Sequence, residues 1–270
     1  MRQVALSVDR PMSCCSVLCE KLSMQIGLFV LVALTSSIAA AQPSTLTALT
    51  TQSQTTKSYL AKGEVDLTLL LPPPPAPKSH AEKADVRAML DLQAHRTDAQ
   101  IQRSTADAEL SVFRFADILG PNFSKSNLPI LTAFFDRVIS STYSLVMTSK
   151  DHWARPRPFE VDPRVHPSKL LREALVTKTG SINPSYPSGH ALFGVLCAIL
   201  LSNMMPEKSD ELFARGFEYG HNRVVGLVHF PSDTIAGQLG ASAVAQALMS
   251  HADFKSDFEK AKQELRSKLK

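Results

Sequence analysis

The sequence predicts an all-α protein, a helical bundle in which two central helices carry a pair of histidines. Apolar residues recur at three- and four-residue intervals through most of the chain after Ser79. No stretch alternates convincingly with the period of two that a half-buried strand requires. Glycines also fall inside two of the helical patterns, where they let neighbouring helices approach closely. The 270 residues, 44% hydrophobic and 20% charged, suffice for one domain with a real core plus extensions. A formal charge of +4, scattered along the chain, does not suit a nucleic-acid partner.

In chain order, residues 1–41 read as a secretory signal peptide rather than as part of the fold. Lys21 precedes the apolar run Ile26 to Leu34, and Ala39-Ala40-Ala41 ends in a small-residue cleavage site before Gln42. The run is short for a membrane span. Met12 and Met24 are both alternative starts. Cys14, Cys15 and Cys19 lie in this segment, so the mature chain keeps only Cys197, a buried inert thiol inside an apolar helix. Residues 42–78, rich in Ser, Thr and Gln and then in proline at Pro72 to Pro77, read as a flexible arm.

The folded domain, 79–270, is expected to open on the capping box Ser79-His80-Ala81-Glu82, with Val86, Met89, Leu90 and Ala94 at helical spacing behind it. His95 and Arg96 near that helix's end complement its dipole. A second pattern holds Leu110, Phe113 and Ile118 and stops at Gly120-Pro121. The third is the clearest: Leu131, Phe134, Phe135, Val138, Ile139, Tyr143, Val146 and Met147 form one stripe, which Lys150 continues. An ammonium on a core-facing stripe needs a partner. Residues 151–187 are proline-rich and read as a loop that walls a pocket, with Trp153 and Phe159 packing it down and His152 and His166 at the surface. Then come an apolar helix from Leu192 to Met205 and a helix lined by Leu212, Phe213, Phe217, Gly220, His221 and Val224. The next is lined by Ile235, Leu239, Ala243 and Ala247, with Gly237 and Gly240 at a tight contact. An amphipathic helix bearing Phe254, Phe258, Ala261 and Leu265 closes the chain.

Ser185-Tyr186-Pro187-Ser188-Gly189-His190 is where chemistry first shows. Ser188 suits a helix N-cap, so free backbone N–H groups and the positive end of a helix dipole face whatever lies ahead. Gly189 lets an anion approach, and His190 falls in the first turn. Taken alone this is equally an ordinary capped helix. His229 and Asp233 raise the stakes. With Pro231 in the first turn of a helix, Asp233 lies over His229, accepts a hydrogen bond from Nδ1–H and so leaves Nε2 with a free lone pair. Arg223 brings a fork of donors towards the same place.

Lys150, six residues, Arg157-Pro158; Pro187-Ser188-Gly189-His190; then Arg223, five residues, His229, three residues, Asp233: these resemble the three-part signature of the type-2 phosphatidic-acid phosphatase superfamily, which includes the vanadium haloperoxidases. Ser185 to His190 and Arg215-Gly216 most resemble the bacterial class A non-specific acid phosphatases. The likeness covers residues 79–250. The family usually has serine where this chain has Asn222, a side chain that still donates. Arg155 has no counterpart in the signature and stays outside the expected phosphate shell.

The resemblance implies a metal-independent phosphomonoesterase with no cofactor, acting on a small-molecule phosphomonoester in the periplasm or as a secreted protein. It implies catalytic roles for His229 as nucleophile, Asp233 as its partner and His190 as acid and base. Lys150, Arg157, Ser188, Gly189 and Arg223 would bind phosphate, and activity would be bell-shaped with an acidic optimum. It implies no stable membrane insertion after cleavage and leaves a homo-oligomer open. Other readings are a vanadium-dependent haloperoxidase, a lipid phosphatase of the same superfamily, and a non-catalytic phosphate-binding protein. The first is usually a larger chain and the second a polytopic one; the third has no need of two histidines.

Overall fold

In the computed structural model, which describes residues 57–269, the chain is all-α, as the periodicity predicts. The helices are α1 (Leu67–Leu70), α2 (His80–His95), α3 (Asp98–Ala106), α4 (Ala116–Leu119), α5 (Pro129–Trp153), α6 (Pro158–Val161), α7 (Lys169–Glu173), α8 (Gly189–Met204), α9 (Ser209–Val225), α10 (Pro231–Ser250) and α11 (Ala252–Lys268). The expected signal peptide lies outside the described residues. Among them, no helix is long and apolar enough to cross a membrane.

The apolar α8 sits at the centre, with Ala191 to Ala198, Leu200 and Leu201 all buried. Two close approaches fix its neighbours. A Cβ on Gly194 would stand 2.6 Å from the Gly216 carbonyl oxygen, so α8 and α9 meet backbone to backbone. A Cβ on Gly237 would stand 2.3 Å from the Ser188 oxygen, which brings the start of α10 onto the start of α8. Ser188 N–H donates to the Asp233 carbonyl at 3.0 Å across that contact. Any larger residue at these positions would separate the elements that bear the site.

Long-range packing changes four sequence expectations. The arm is not loose from residue 57 onward. Tyr59, Leu60, Val65, Leu67 and Leu71 are buried in the main core, Tyr59 N–H donates to Ser141 Oγ at 2.8 Å, and the Tyr59 ring packs edge-on to Phe254. A few large side chains outweigh the polar composition around them. On α10 the expected stripe is the wrong face. Ile235 and Leu239 are each 56% exposed, and Ala236, Gly240, Ala241, Val244 and Leu248 are buried instead, because close packing selects the small residues. On α9, Phe217 and His221 face outward, while Arg215, Gly216, Tyr219, Asn222 and Arg223 face in with Leu212. On α5 the stripe holds from Leu131 to Lys150 except at Tyr143, which is exposed.

Smaller differences are local. Ser79 Oγ caps α2 by accepting from Glu82 N–H at 3.2 Å, but the Glu82 carboxylate reaches Lys78 N–H rather than its own cap residue. Residues 112–119 are a 3-10 turn and one short helix, and α3 was not foreseen. Arg96 Nη1 donates to the Val225 carbonyl at 2.5 Å, fastening α2 to the end of α9. His152 and His166 are exposed, Trp153 packs edge-on against Tyr186, and Cys197 is a buried free thiol.

Candidate active site

The site gathers at the start of α8, the end of α5, the Arg155–Pro158 segment and the turn between α9 and α10. α5 ends where Ala154 adopts a left-handed conformation (φ 44°), which turns the chain so that Arg155 and Arg157 enter the interior. The α9–α10 turn uses a second left-handed residue, Leu227 (φ 61°). Both Val228 N–H and His229 N–H then donate to the Arg223 carbonyl, at 3.1 and 3.3 Å. A non-glycine residue held there costs on the order of 1 kcal/mol, which its full burial offsets. His190 lies in the first turn of α8, as expected. His229 lies not on a helix but in this turn, two residues ahead of Pro231.

Asp233 stands in the first turn of α10, fully buried, and collects donors on both oxygens. Its Oδ2 accepts from Ser185 Oγ at 2.5 Å and from Phe230 N–H at 2.9 Å, and faces His229 Nδ1 at 3.3 Å. Its Oδ1 accepts from Arg155 Nη1 at 2.6 Å. On the other side of the imidazole, Arg157 Nη1 stands 2.9 Å from Nε2. A guanidinium can only donate, so Nε2 is the acceptor and the proton sits on Nδ1 towards Asp233.

Three cations surround that ring. Lys150 donates to the carbonyls of Pro184 and, at 3.0 Å, Ser185. Arg157 Nε donates to the Asn183 carbonyl and Nη1 to the Val228 carbonyl, each at 2.7 Å. Arg223 Nη1 reaches the Ser104 carbonyl at 3.2 Å, and its buried Nε has no partner among the described residues. These side chains are 2–5% exposed, yet among the described residues none has a carboxylate within salt-bridge distance. Burial drives Arg157 down to about 9, opposed by Asp233, and Arg223 down to about 10. Burial, then Arg157, holds Lys150 well below the usual ammonium range. His229 is held well below the usual imidazole range by burial, then by Arg157, Lys150, Arg223 and His190. Desolvated positive charge with neutral dipoles rather than carboxylates for company has the chemistry to take an anion.

His190 Nε2 lies 3.0 Å from the Ala108 carbonyl, which can only accept, so that nitrogen carries a proton and Nδ1 is left for acid–base exchange. Its ring stacks near Tyr219 with centroids 6.0 Å apart. Burial, then Arg223, lowers it to about 3, despite the Ala108 bond. Ser188 caps α8 by accepting from Ala191 N–H at 3.3 Å, which leaves its O–H to donate; its own N–H is engaged by Asp233. Gly189 is the first residue of α8, directly beside this cap. All eight residues picked from the sequence therefore border one place.

Asn222 does not. Its Nδ2 donates to Asp107 Oδ2 at 2.7 Å, in a separate cluster with Arg215 and Arg114. Sequence reasoning also missed three residues that hold the site. Arg155 is buried and pairs with Asp233 and Asp85; Ser185 binds Asp233; Asp85 reaches across from α2. The signals in the chain were the repeat of arginine at 155 and 157 and the place of Ser185 at the head of the Ser185–His190 run. Among the described residues no group of three or more His, Cys, Asp or Glu gathers as a metal site.

The PAP2 superfamily profile matches residues 131–256, which contain every one of the eight. An acid phosphatase of Zymomonas mobilis is 32% identical over 240 residues, covering 87% of this chain and 88% of that protein. A non-specific acid phosphatase of Salmonella typhimurium is 27% identical over 228 residues, covering 81% and 88%. One of Providencia stuartii is 29% identical over 218 residues, covering 78% and 86%. The chain belongs to the PAP2 superfamily, among the bacterial class A non-specific acid phosphatases.

Proposed function

We propose that the protein is an acid phosphatase that hydrolyses small phosphomonoesters through a phosphohistidine on His229. The observation that carries this is the fixed tautomer of His229, with Nδ1–H towards Asp233 Oδ2 and the Nε2 lone pair among three cations that meet no carboxylate among the described residues. Phosphate binding alone needs the cations but not an oriented lone pair.

Lys150, Arg157 and Arg223, with the Ser188 hydroxyl and the free amides at the start of α8, hold the phosphoryl oxygens and meet the charge of an in-line transfer. Arg157 is already beside Nε2, so it releases the lone pair to phosphorus as it takes up a phosphoryl oxygen. The Nε2–P bond forms and the ester P–O bond breaks. The leaving oxygen takes a proton from His190 Nδ1. In the second step water gives a proton back to Nδ1 and attacks phosphorus, and the N–P bond breaks. Asp233 steadies the positive ring between the steps. Free His190 is neutral at mildly acid pH because of burial and the cations. A bound phosphate offsets those charges, so substrate brings the acid into its working state.

The cations already supply what a metal would, so exhaustive dialysis against chelator leaves the rate unchanged, and metal-restorable loss of activity would refute this. Export follows from the signal-like segment ahead of Gln42. N-terminal sequencing of exported material finds the cut near Ala41, whereas recovery of only the full-length chain in membranes would refute export.

Rapid quench with labelled p-nitrophenyl phosphate tests the chemistry. Acid-labile, alkali-stable label accumulates on His190→Asn, because water lacks its base, and is absent from His229→Asn, which does not turn over. Label on the His229 variant, or alkali-labile phosphoserine at Ser188, sinks the assignment.

A further inference from the structure

Arg155 lies outside the phosphate shell, yet it is 4% exposed and engages two carboxylates from different helices. Nη1 donates to Asp233 Oδ1 at 2.6 Å and to Ser232 Oγ at 2.8 Å. Nη2 donates to Asp85 Oδ2 at 3.0 Å. The guanidinium lies over the Phe230 ring, 4.0 Å from its centroid, and the Arg155 carbonyl accepts from Ser185 N–H at 2.7 Å. Ser232 hydroxyl and N–H both donate to Asp85, so α2, the Arg155 segment and the start of α10 are tied at one point. Ser185 in turn binds the other oxygen of Asp233.

We infer that Arg155 is a positioning residue that, shared between Asp85 and Asp233, sets how much carboxylate charge Asp233 presents to His229. This rests on the reading of His229 as the nucleophile. The geometry divides Asp233 in two. Oδ1 belongs to Arg155, and Oδ2 faces His229 with Ser185 and the Phe230 amide as fellow donors. With Oδ1 held, the carboxylate cannot rotate away, and its charge is partly compensated. The ring can then remain neutral for attack and still be supported once it carries the phosphoryl group. Asp85 draws on the same guanidinium, so its charge works against that compensation.

The charged groups facing His229 are Arg157 beside α6, Lys150 on α5, Arg223 on α9, His190 on α8 and Asp233 on α10. None of these changes in the variants that follow. In Arg155→Gln, Asp233 is less compensated, the imidazolium is favoured, and the acid limb of kcat/KM moves to higher pH. In Asp85→Asn, Arg155 gives its charge to Asp233 alone, the imidazolium is disfavoured, and the limb moves to lower pH. Loss of a charge at this range in a buried site moves the limb by about one pH unit. Arg155→Lys keeps the charge and leaves the limb near its wild-type position.

The experiment is the pH profile of kcat/KM for p-nitrophenyl phosphate on the full chain and these three variants. Titration of the His229 ring by NMR accompanies it on the enzyme saturated with inorganic phosphate. Opposite movements of the Gln and Asn variants support the inference; a scaffold role alone predicts lower rates at an unmoved limb. Movement in one direction for both, or no movement in either, overturns it. If Arg155→Gln does not fold, Asp85→Asn and Arg155→Lys still decide, since only the first should move. The ring titration needs no turnover, so it tests Arg155 separately from the phosphohistidine, which the quench experiment tests in the wild type.

Discussion

The protein buries two arginine clusters a few residues apart on α9, and they differ in one respect. Around Asp107, Arg215 Nη2 donates at 2.6 Å and Arg114 Nε at 2.9 Å, Asn222 adds a third bond, and Glu218 and Asp117 complete the pairing at the rim. Around His229, Lys150, Arg157 and Arg223 meet backbone carbonyls, the Asn183 amide oxygen and the His229 ring but, among the described residues, no carboxylate, and one Arg223 nitrogen meets no partner there. Arg215 and Arg223 are two turns apart on one helix and equally buried. A buried cation with its carboxylate in place is already satisfied; one without it has charge left for an anion that comes and goes, as the proposed function requires.

Breaking the Asp107 cluster should have the largest effect, and it should be on stability. Asp107→Ala strips buried Arg215 of its one buried carboxylate and leaves it only Glu218 and Asp117 at the rim, which costs about 3 kcal/mol. Denaturant unfolding measures it, and a loss under about 1 kcal/mol would erase the contrast. Arg223→Met should do the opposite. It lowers kcat/KM by about 10²–10³, the range for one oxyanion donor, and leaves the melting temperature unchanged or higher. If the variant loses stability in proportion to activity, Arg223 is a scaffold residue after all.

Sulfate sharpens the comparison because it stays a dianion across the pH range. The empty site destabilises the fold as acid is added. His190 is held to about 3, below its value in the unfolded chain, so the unfolded chain binds the proton first, and stability falls from about pH 6.5 towards pH 3. Sulfate should stabilise the wild type by about 2.7 kcal/mol at 100 times its Kd. Binding at pH 5 should take up protons, read by calorimetry in buffers of different ionisation enthalpy. Arg223→Met should lose most of that stabilisation, whereas Asn222→Ala keeps it. Proton release on binding would contradict the sign.

Asn222→Ser, which installs the family's usual residue, gives the smallest effect. It should cost about 1 kcal/mol through the lost bond to Asp107 and change kcat/KM less than about threefold. A tenfold rise in KM would place residue 222 in the phosphate site instead.

The sequence by itself determined whatever rests on neighbours along the chain. Ser188 caps α8 because a small hydroxyl precedes an apolar run, and His190 follows into the first turn. Pro231 starts α10, so Asp233 lies over His229 at four residues' distance. The α5 stripe runs unbroken into Lys150 apart from Tyr143. Tertiary structure decided the partners. Asn222 finds Asp107 115 residues away, Arg155 finds Asp233 78 residues away and Asp85 70, and Tyr59 finds Ser141 82 residues away. The left-handed Ala154 and Leu227 carry no glycine to announce them, and the apolar Ile235 and Leu239 lose their place in the core to glycine and alanine. Caps and periodicity follow from interactions within a turn or two of backbone. Which buried charge meets a carboxylate, and which is left for an anion, depends on which distant helices close packing brings together.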